Sequence, residues 1–195
     1  ALLIHTVAHL VEDPFPVRGT FQKKYLKLPP AVLATCMSKH QRIFAFYNAS
    51  GRLTNRFLAV INGPRKNVNE IAQNYESVLS SRLEDAQFFF EEDRKTKLET
   101  KVEKLKDMIF LGALGSYRDK TKRLQTLVQL LGKEAGLSEE VVQRASRAAY
   151  LSKADLTTHL VYEFPELQGV AGSEYARRDG ENPAVAQGIL AHYFP

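Results

Sequence analysis

The chain has 195 residues with an apolar fraction of 44%, which suits one large or two small globular domains and excludes a chain disordered throughout. Its 27 basic and 22 acidic residues leave a net charge of +5, a balance that suits a polyanionic partner such as RNA without requiring one. No apolar run is long enough to span a bilayer, the start lacks the blocks of a signal peptide, and the single cysteine, Cys36, rules out an internal disulfide.

A reducing, cytoplasmic compartment fits that cysteine usage. The start at Ala1 without Met and the apolar end at 189–195 suggest a piece of a longer protein. In chain order, Leu26 to Leu28 leads into Pro29 and Pro30, which favour a first helical turn because proline has no N–H to leave unpaired there. A short helix is expected over Ala31 to Ser38. Aromatic and branched residues from Arg42 to Tyr47 predict a strand, Asn48, Ser50 and Gly51 a turn, and Arg56 to Ile61 a second strand, together a β-hairpin. Asn48-Ala49-Ser50 fits a glycosylation pattern, but without a signal peptide it reads as the hairpin turn. Breakers follow at Asn62, Gly63, Pro64 and Asn67. Then Ile71, Tyr75, Val78, Leu79, Leu83, Ala86 and Phe90 recur at helical steps and predict one long helix. The polar stretch after Asp93 marks a boundary. Residues 1–95 are expected to form a mixed α/β domain and 96–195 a helical one, an α+β chain.

In the second half, Leu98, Val102, Leu105 and Ile109 form one apolar stripe. Tyr117, Leu124, Val128 and Leu131 form another, with Gly132 placed as its C-terminal stop. Gly112 to Ser116 reads as a helix–helix turn. Ser138 starts a helix expected to run to about Glu163, where Pro165 ends it. A last helix starts near Pro183 and covers Ala184 to His192.

Met37-Ser38-Lys39 is too short a match to the nucleotide loop of class I synthetases to carry weight, and no nucleotide-binding βαβ unit accompanies it. Lys97, Lys101 and Lys104 lie at helical spacing and read as a solvated helix face. Arg118, Lys120, Lys122 and Arg123 form a denser basic cluster opposed only by Asp119. Arg144, Arg147 and Lys153 extend it, and Arg177-Arg178 lies in an expected loop. These nine cations are the candidate phosphate contacts. Asp155, His159 and Glu163 fall at i, i+4 and i+8, one face of the expected helix, and could hold a divalent metal.

The run Met37 to Phe44, Arg82 to Phe90, Glu103 to Lys106, Leu114-Gly115-Ser116 with Asp119-Lys120, Lys153 to Leu156, Glu163 to Gly169, Tyr175-Ala176 and His192-Tyr193 resemble, in order, motifs of the glycyl-tRNA synthetase β-subunit family. Two stretches depart from it, Gln73-Asn74 and Ala171 to Glu174. The segment Ala148 to Leu156 also resembles the helix of HD-superfamily domains, whose active members carry adjacent His and Asp metal ligands. Ala154 stands in place of that His beside Asp155, and no His lies between Tyr117 and Arg123. The resemblance therefore implies an HD-like helical domain without a metal or hydrolase activity. It implies a non-catalytic segment that positions tRNA(Gly), at its acceptor arm, for an α subunit that uses ATP. No cofactor is expected in these residues, and neither membrane nor DNA is expected as a partner. Two rivals are an HD phosphohydrolase using Asp155, His159 and Glu163, and a region docking the α subunit through Phe88-Phe89-Phe90.

Overall fold

Proline nitrogens, a glycine facing an aromatic ring and one side-chain cap shape the sheet of the first half. The computed structural model describes residues 2–63 and 65–194, apart from the side chain of Leu2. Helix α1 (Leu2–Ala8) precedes strand β1 (Pro14–Thr20), and β2 (Phe44–Tyr47) and β3 (Leu53–Asn62) complete an antiparallel sheet in the order β1-β3-β2. Strand β1 has no counterpart among the expected elements. Pro14 and Pro16 masked it, and both are tolerated because β1 lies at the sheet edge. Gly19 sits opposite Phe57. A Cβ there would come within 2.2 Å of the ring, so the position admits no side chain while Phe57 stays buried.

The expected hairpin forms between β2 and β3. Asn48 Oδ1 accepts from the backbone N–H of Ser50 and of Arg52, at 3.1 and 2.9 Å, and Gly51 supplies a left-handed φ of 73°. Arg42 itself has a φ of 53°, which is why β2 starts at Phe44 instead. Helix α2 (Pro30–Thr35) passes into a π-helical turn over Cys36–His40. That turn buries Met37 completely, consistent with a structural role for the Met37-Ser38-Lys39 stretch. Thr20 closes the edge of β1 by donating its backbone N–H to Glu76 Oε1 at 2.6 Å. Glu76 belongs to α3 (Val68–Asp93), the long helix that the periodicity predicts.

Contacts divide the chain into Ala1–Phe88 and Phe89–Pro195, a division that falls within α3. The second unit is helical: α4 (Leu98–Lys101), α5 (Tyr117–Glu134), α6 (Glu139–Leu151), α7 (His159–Glu163), α8 (Val170–Arg178) and α9 (Pro183–Ala191). The chain is thus α+β, with a helical C-terminal part.

Several local expectations change. The stripe from Leu98 to Ile109 is not one helix. It passes from α4 into a 3-10 helix over Val102–Asp107, then into strand β4 (Ile109–Leu111), which pairs with β5 (Gly115–Ser116). The expected helix–helix turn at Gly112 to Ser116 is therefore part of a small β-hairpin, with Gly112–Leu114 at its tip and Gly115–Ser116 in its second strand. Lys101 is buried and donates to Thr96 Oγ1 at 2.7 Å, so it shares no solvated face with Lys97 and Lys104. Gly132 does not stop α5. It lies inside the helix, where a Cβ would meet Val142 at 2.5 Å. The chain turns instead at Gly136, with a φ of 63°. The helix from Ser138 ends at Leu151, and a 3-10 turn over Ala154–Thr157 separates it from α7. Distant acceptors offset the interruption: Asp93 takes the N–H groups of His159 and Leu160, both at 2.9 Å. Thr158 caps the same helix by accepting from Val161 N–H at 3.2 Å.

Candidate functional site

The helical unit is organised by two buried carboxylates. Asp93, besides capping α7, accepts from the Tyr175 hydroxyl at 3.1 Å. Burial, and then the Asp93 charge, hold that phenol far above its ordinary value. Asp155 is wholly buried, and its Oδ2 accepts from Gly169 N–H at 2.6 Å and Gly172 N–H at 3.1 Å. Its Oδ1 is buried with no hydrogen-bond partner among the described residues. Burial pushes the Asp155 carboxyl up to about 6, against the pull of those two N–H groups. Gly169 has a φ of 78°, and a Cβ there would meet the Tyr193 ring at 2.8 Å. Four separate sequence motifs, Lys153 to Leu156, Glu163 to Gly169, Tyr175-Ala176 and His192-Tyr193, thus join one polar core.

Lys153 completes that core. Its ammonium lies 2.7 Å from His192 Nε2 and 3.8 Å from the centre of the Tyr193 ring. His192 Nδ1 is 2.6 Å from the Ile189 carbonyl oxygen. The carbonyl needs a donor, so Nδ1 carries the proton and Nε2 accepts from Lys153. Burial lowers the His192 pKa, and the neighbouring Lys153 and Lys120 charges lower it further. Burial brings the Lys153 ammonium down to about 8, with the like charge of Lys120 adding to the shift. Lys153 and His192 stand at one end of a cavity of about 390 Å³ between α5, α6 and α9. Lys120, Leu124 and Val128, one face of α5, form one wall, and Ala145, Ala148 and Ala149 of α6 form another.

The second feature is an open groove of about 610 Å³ at the start of α5, lined by Lys106, Arg118 and Lys122 together with Glu103, Ser116 and Asp119. A capping box shapes it. Ser116 donates through N–H and Oγ to Asp119 Oδ2 at 3.0 and 2.8 Å, and Ser116 Oγ accepts from Asp119 N–H at 3.2 Å. These hydrogen bonds lower the Asp119 pKa. Gly115 has a φ of 75°, and a Cβ there would approach Asp119 Oδ2 to 2.7 Å. The Leu114 to Lys120 motif is therefore a helix start that only glycine permits.

The nine candidate cations fall into different environments. Lys122 and Arg123 on α5 and Arg177 on α8 are exposed. Arg118 pairs with Glu103 at 3.1 Å and lies over the Tyr150 ring. Arg144 pairs with Glu140, and Arg178 with Glu174 at 2.7 Å. Arg147 is held by Glu99 at 2.7 Å and by both oxygens of Glu181, at 2.6 and 3.2 Å. Its pKa rises through those bonds, and that of Glu99 falls. Lys120 is half-buried, 3.7 Å from the centre of the Phe110 ring, and Lys153 is buried. Arg177 and Arg178 occupy the last turn of α8 and not a loop, because Gly180, with a φ of 86°, delays the turn. Lys106 and His192 line these features although neither is among the nine candidate cations; Lys106 lies in the Glu103 to Lys106 motif, between the acids Glu103 and Asp107. The His192-Tyr193 motif is the available signal for the second.

Asp155, His159 and Glu163 are not brought together. Asp155 faces the core while His159 and Glu163 are exposed, and they lie on separate helical segments. Among the described residues no three His, Cys, Asp or Glu side chains form a group able to hold a metal. The surroundings of Asp155 do not fit a divalent cation. Its one bonded oxygen is committed to two N–H groups, and the neighbouring charge is the ammonium of Lys153. The aromatic run also divides: Phe90 is buried against Tyr175, Phe89 stacks on His159, and Phe88 is exposed.

Fold and site together define an α+β chain whose helical unit carries exposed cations around buried, carboxylate-centred helix caps. The sequence profile of the glycyl-tRNA synthetase beta subunit matches residues 1–195, and the chain belongs to that family. It is 49% identical to the glycine–tRNA ligase beta subunit of Myxococcus xanthus over 193 residues, 99% of this chain and 27% of that protein. It is 47% identical to the beta subunit of Moorella thermoacetica and 41% identical to that of Bacillus subtilis, each over 99% of this chain and 28% of the relative. The chain therefore spans little more than a quarter of the length of these relatives. Among the described residues no helix is long and apolar enough to cross a membrane.

Proposed function

We propose that these residues form a tRNA-handling, non-catalytic part of glycine–tRNA ligase, with an HD-like helical domain that contacts the acceptor arm of tRNA(Gly). The observation that carries this reading is the set of exposed cations at the start of α5. Lys122 and Arg123 have no ion-pair partner among the described residues, and Lys122 shares an open groove with Lys106. Such side chains can neutralise phosphates without first giving up a carboxylate, whereas Arg147 would have to release two. Phosphate contacts position a nucleic acid without reading its sequence. Glycine activation with ATP, in the cytoplasm, is assigned to a partner α subunit.

The test is tRNA binding by the protein at its full native length across a salt series, comparing tRNA(Gly), its acceptor minihelix and an unrelated tRNA. Charge reversal at Lys106, Lys122 and Arg123 should weaken all three and flatten the salt dependence by roughly one unit of slope for each phosphate no longer neutralised. An unchanged slope would sink the assignment. A second reading, docking of the α subunit, is favoured by a different observation. Leu127, Leu130, Leu131, Leu137 and Val141 are exposed apolar residues near the junction of α5 and α6. Replacing Leu130 and Leu131 with Ser should then weaken co-purification of the two subunits while leaving tRNA binding intact.

A further inference from the structure

The cavity between α5, α6 and α9 is lined by two lysines, Lys153 and Lys120. The Lys153 residue is only 7% exposed, and its nearest partners are an imidazole nitrogen and an aromatic face, both uncharged. Neither Lys153 nor Lys120 forms an ion pair among the described residues. A buried ammonium without a counter-charge is costly. Here a second lysine lines the same cavity and makes the cost larger. The carboxylate that acts on Lys153, Asp155, does not contact it: its Oδ2 accepts from two backbone N–H groups. The fold therefore places two lysines on a cavity whose remaining lining, apart from Ser152 and His192, carries no polar side chain.

We propose that this cavity binds a phosphomonoester carried on a flat apolar body, the chemistry of a nucleoside monophosphate. Lys153 and Lys120 hold the phosphate, and the wall of Ala145, Ala148 and Ala149 faces the ring. Two charges favour a monoester, which carries about −1.5 to −2 at neutral pH, over a carboxylate or a phosphodiester with a single charge. Leu124 and Val128 of α5 line the cavity beside Ala145, Ala148 and Ala149 of α6, an apolar lining that suits an apolar ring. The volume, about 390 Å³, lies within the range of small-ligand sites. His192 contributes its position: its Nδ1–H is committed to Ile189, so its Nε2 holds the Lys153 ammonium against the cavity.

This site goes beyond the tRNA reading and does not rest on it. The same chemistry has two sources, a free mononucleotide and the 5′-phosphate end of an RNA. Titration calorimetry on the protein at its full native length, with AMP, adenosine and inorganic phosphate as probes, tests the proposal. AMP should bind saturably and at least roughly tenfold more tightly than either fragment, since it engages both ends of the site. Lys153→Met and Lys120→Met should each weaken AMP roughly tenfold or more, as expected when a charge-assisted hydrogen bond is removed. Lys120 is half-buried on a helix surface, so its variant keeps the test open if Lys153→Met fails to fold. No saturable AMP binding by the wild type, or unchanged AMP binding in a folded Lys120→Met, overturns the proposal. Competition by a 5′-phosphorylated acceptor hairpin but not by its 5′-hydroxyl twin would identify the RNA end as the source. Competition by neither would identify the free nucleotide. The Lys106, Lys122 and Arg123 reversals should leave AMP binding unchanged, so failure of the tRNA reading is separable from failure here.

Discussion

Replacing Asp155 with Asn should change how stability depends on pH more than it changes stability itself. The folded protein holds this carboxyl at about 6, against 3.8 for the unperturbed group, because burial disfavours the charge more than the two N–H bonds favour it. Between these two values the unfolded chain has lost its proton while the folded chain keeps it. Stability from this group is therefore complete below about pH 4 and falls by roughly 1.4 kcal/mol per pH unit as pH rises. It levels off above about pH 6, after a total loss of about 3 kcal/mol. Asn has nearly the same shape, stays neutral throughout, and can still accept from Gly169 and Gly172 through its oxygen. Its Nδ2 takes the place of the unpartnered Oδ1, a pH-independent cost of about 1–3 kcal/mol. Urea denaturation of both proteins at pH 4, 5, 6 and 7 measures the difference. Relative to wild type, Asp155→Asn should gain about 3 kcal/mol across that range, whatever its offset at pH 4. Parallel stability curves would refute the reasoning, because the charge of Asp155 would then carry no penalty in the fold.

Gly115→Ala should cost about 2–3 kcal/mol in thermal or chemical unfolding. It forces an alanine into a glycine backbone region and pushes Asp119 out of the capping box. Ser116→Ala, which removes only the cap, should cost about 1 kcal/mol. Arg147→Ala should lower stability by about 1–2 kcal/mol, discounted because the arginine is partly exposed, by leaving Glu99 and Glu181 without their shared cation. Its effect on tRNA affinity and on the salt slope should be small beside that of reversing Lys122 and Arg123. An equal effect on binding would mean that Arg147 exchanges its carboxylates for phosphate.

Helix α3 is legible in the sequence because its apolar period is long and unbroken, and the body of α5 through the stripe from Tyr117 to Leu131, whereas the cap that Ser116 and Asp119 form at its start is not read there. The end of helix α6 is not legible, because the groups that start α7 anew include Asp93, which lies 66 residues before His159. No local pattern records that. The basic residues are recognisable as charge, but their availability is not. Arg147 finds its partners 48 residues upstream and 34 downstream, and only the folded chain shows that they neutralise it. Lys153 and His192 are 39 residues apart, so the cationic end of the cavity cannot be assembled from either neighbourhood. The resemblance of separate motifs to one family is readable, whereas their meeting around Asp155 is not.

The prolines of β1 bear on self-association. Strand geometry turns alternate backbone nitrogens away from β3, those of Pro14, Pro16, Arg18 and Thr20. Two of these are proline nitrogens with no hydrogen to offer, and Thr20 N–H is taken by Glu76. Within β1 that leaves Arg18, a charged residue, as the one outward donor. A second chain seeking to extend the sheet along this edge would find outward carbonyls but a single N–H donor, half of a hydrogen-bonding template. The residues that hide the strand from sequence reading are the same ones that keep it from recruiting another.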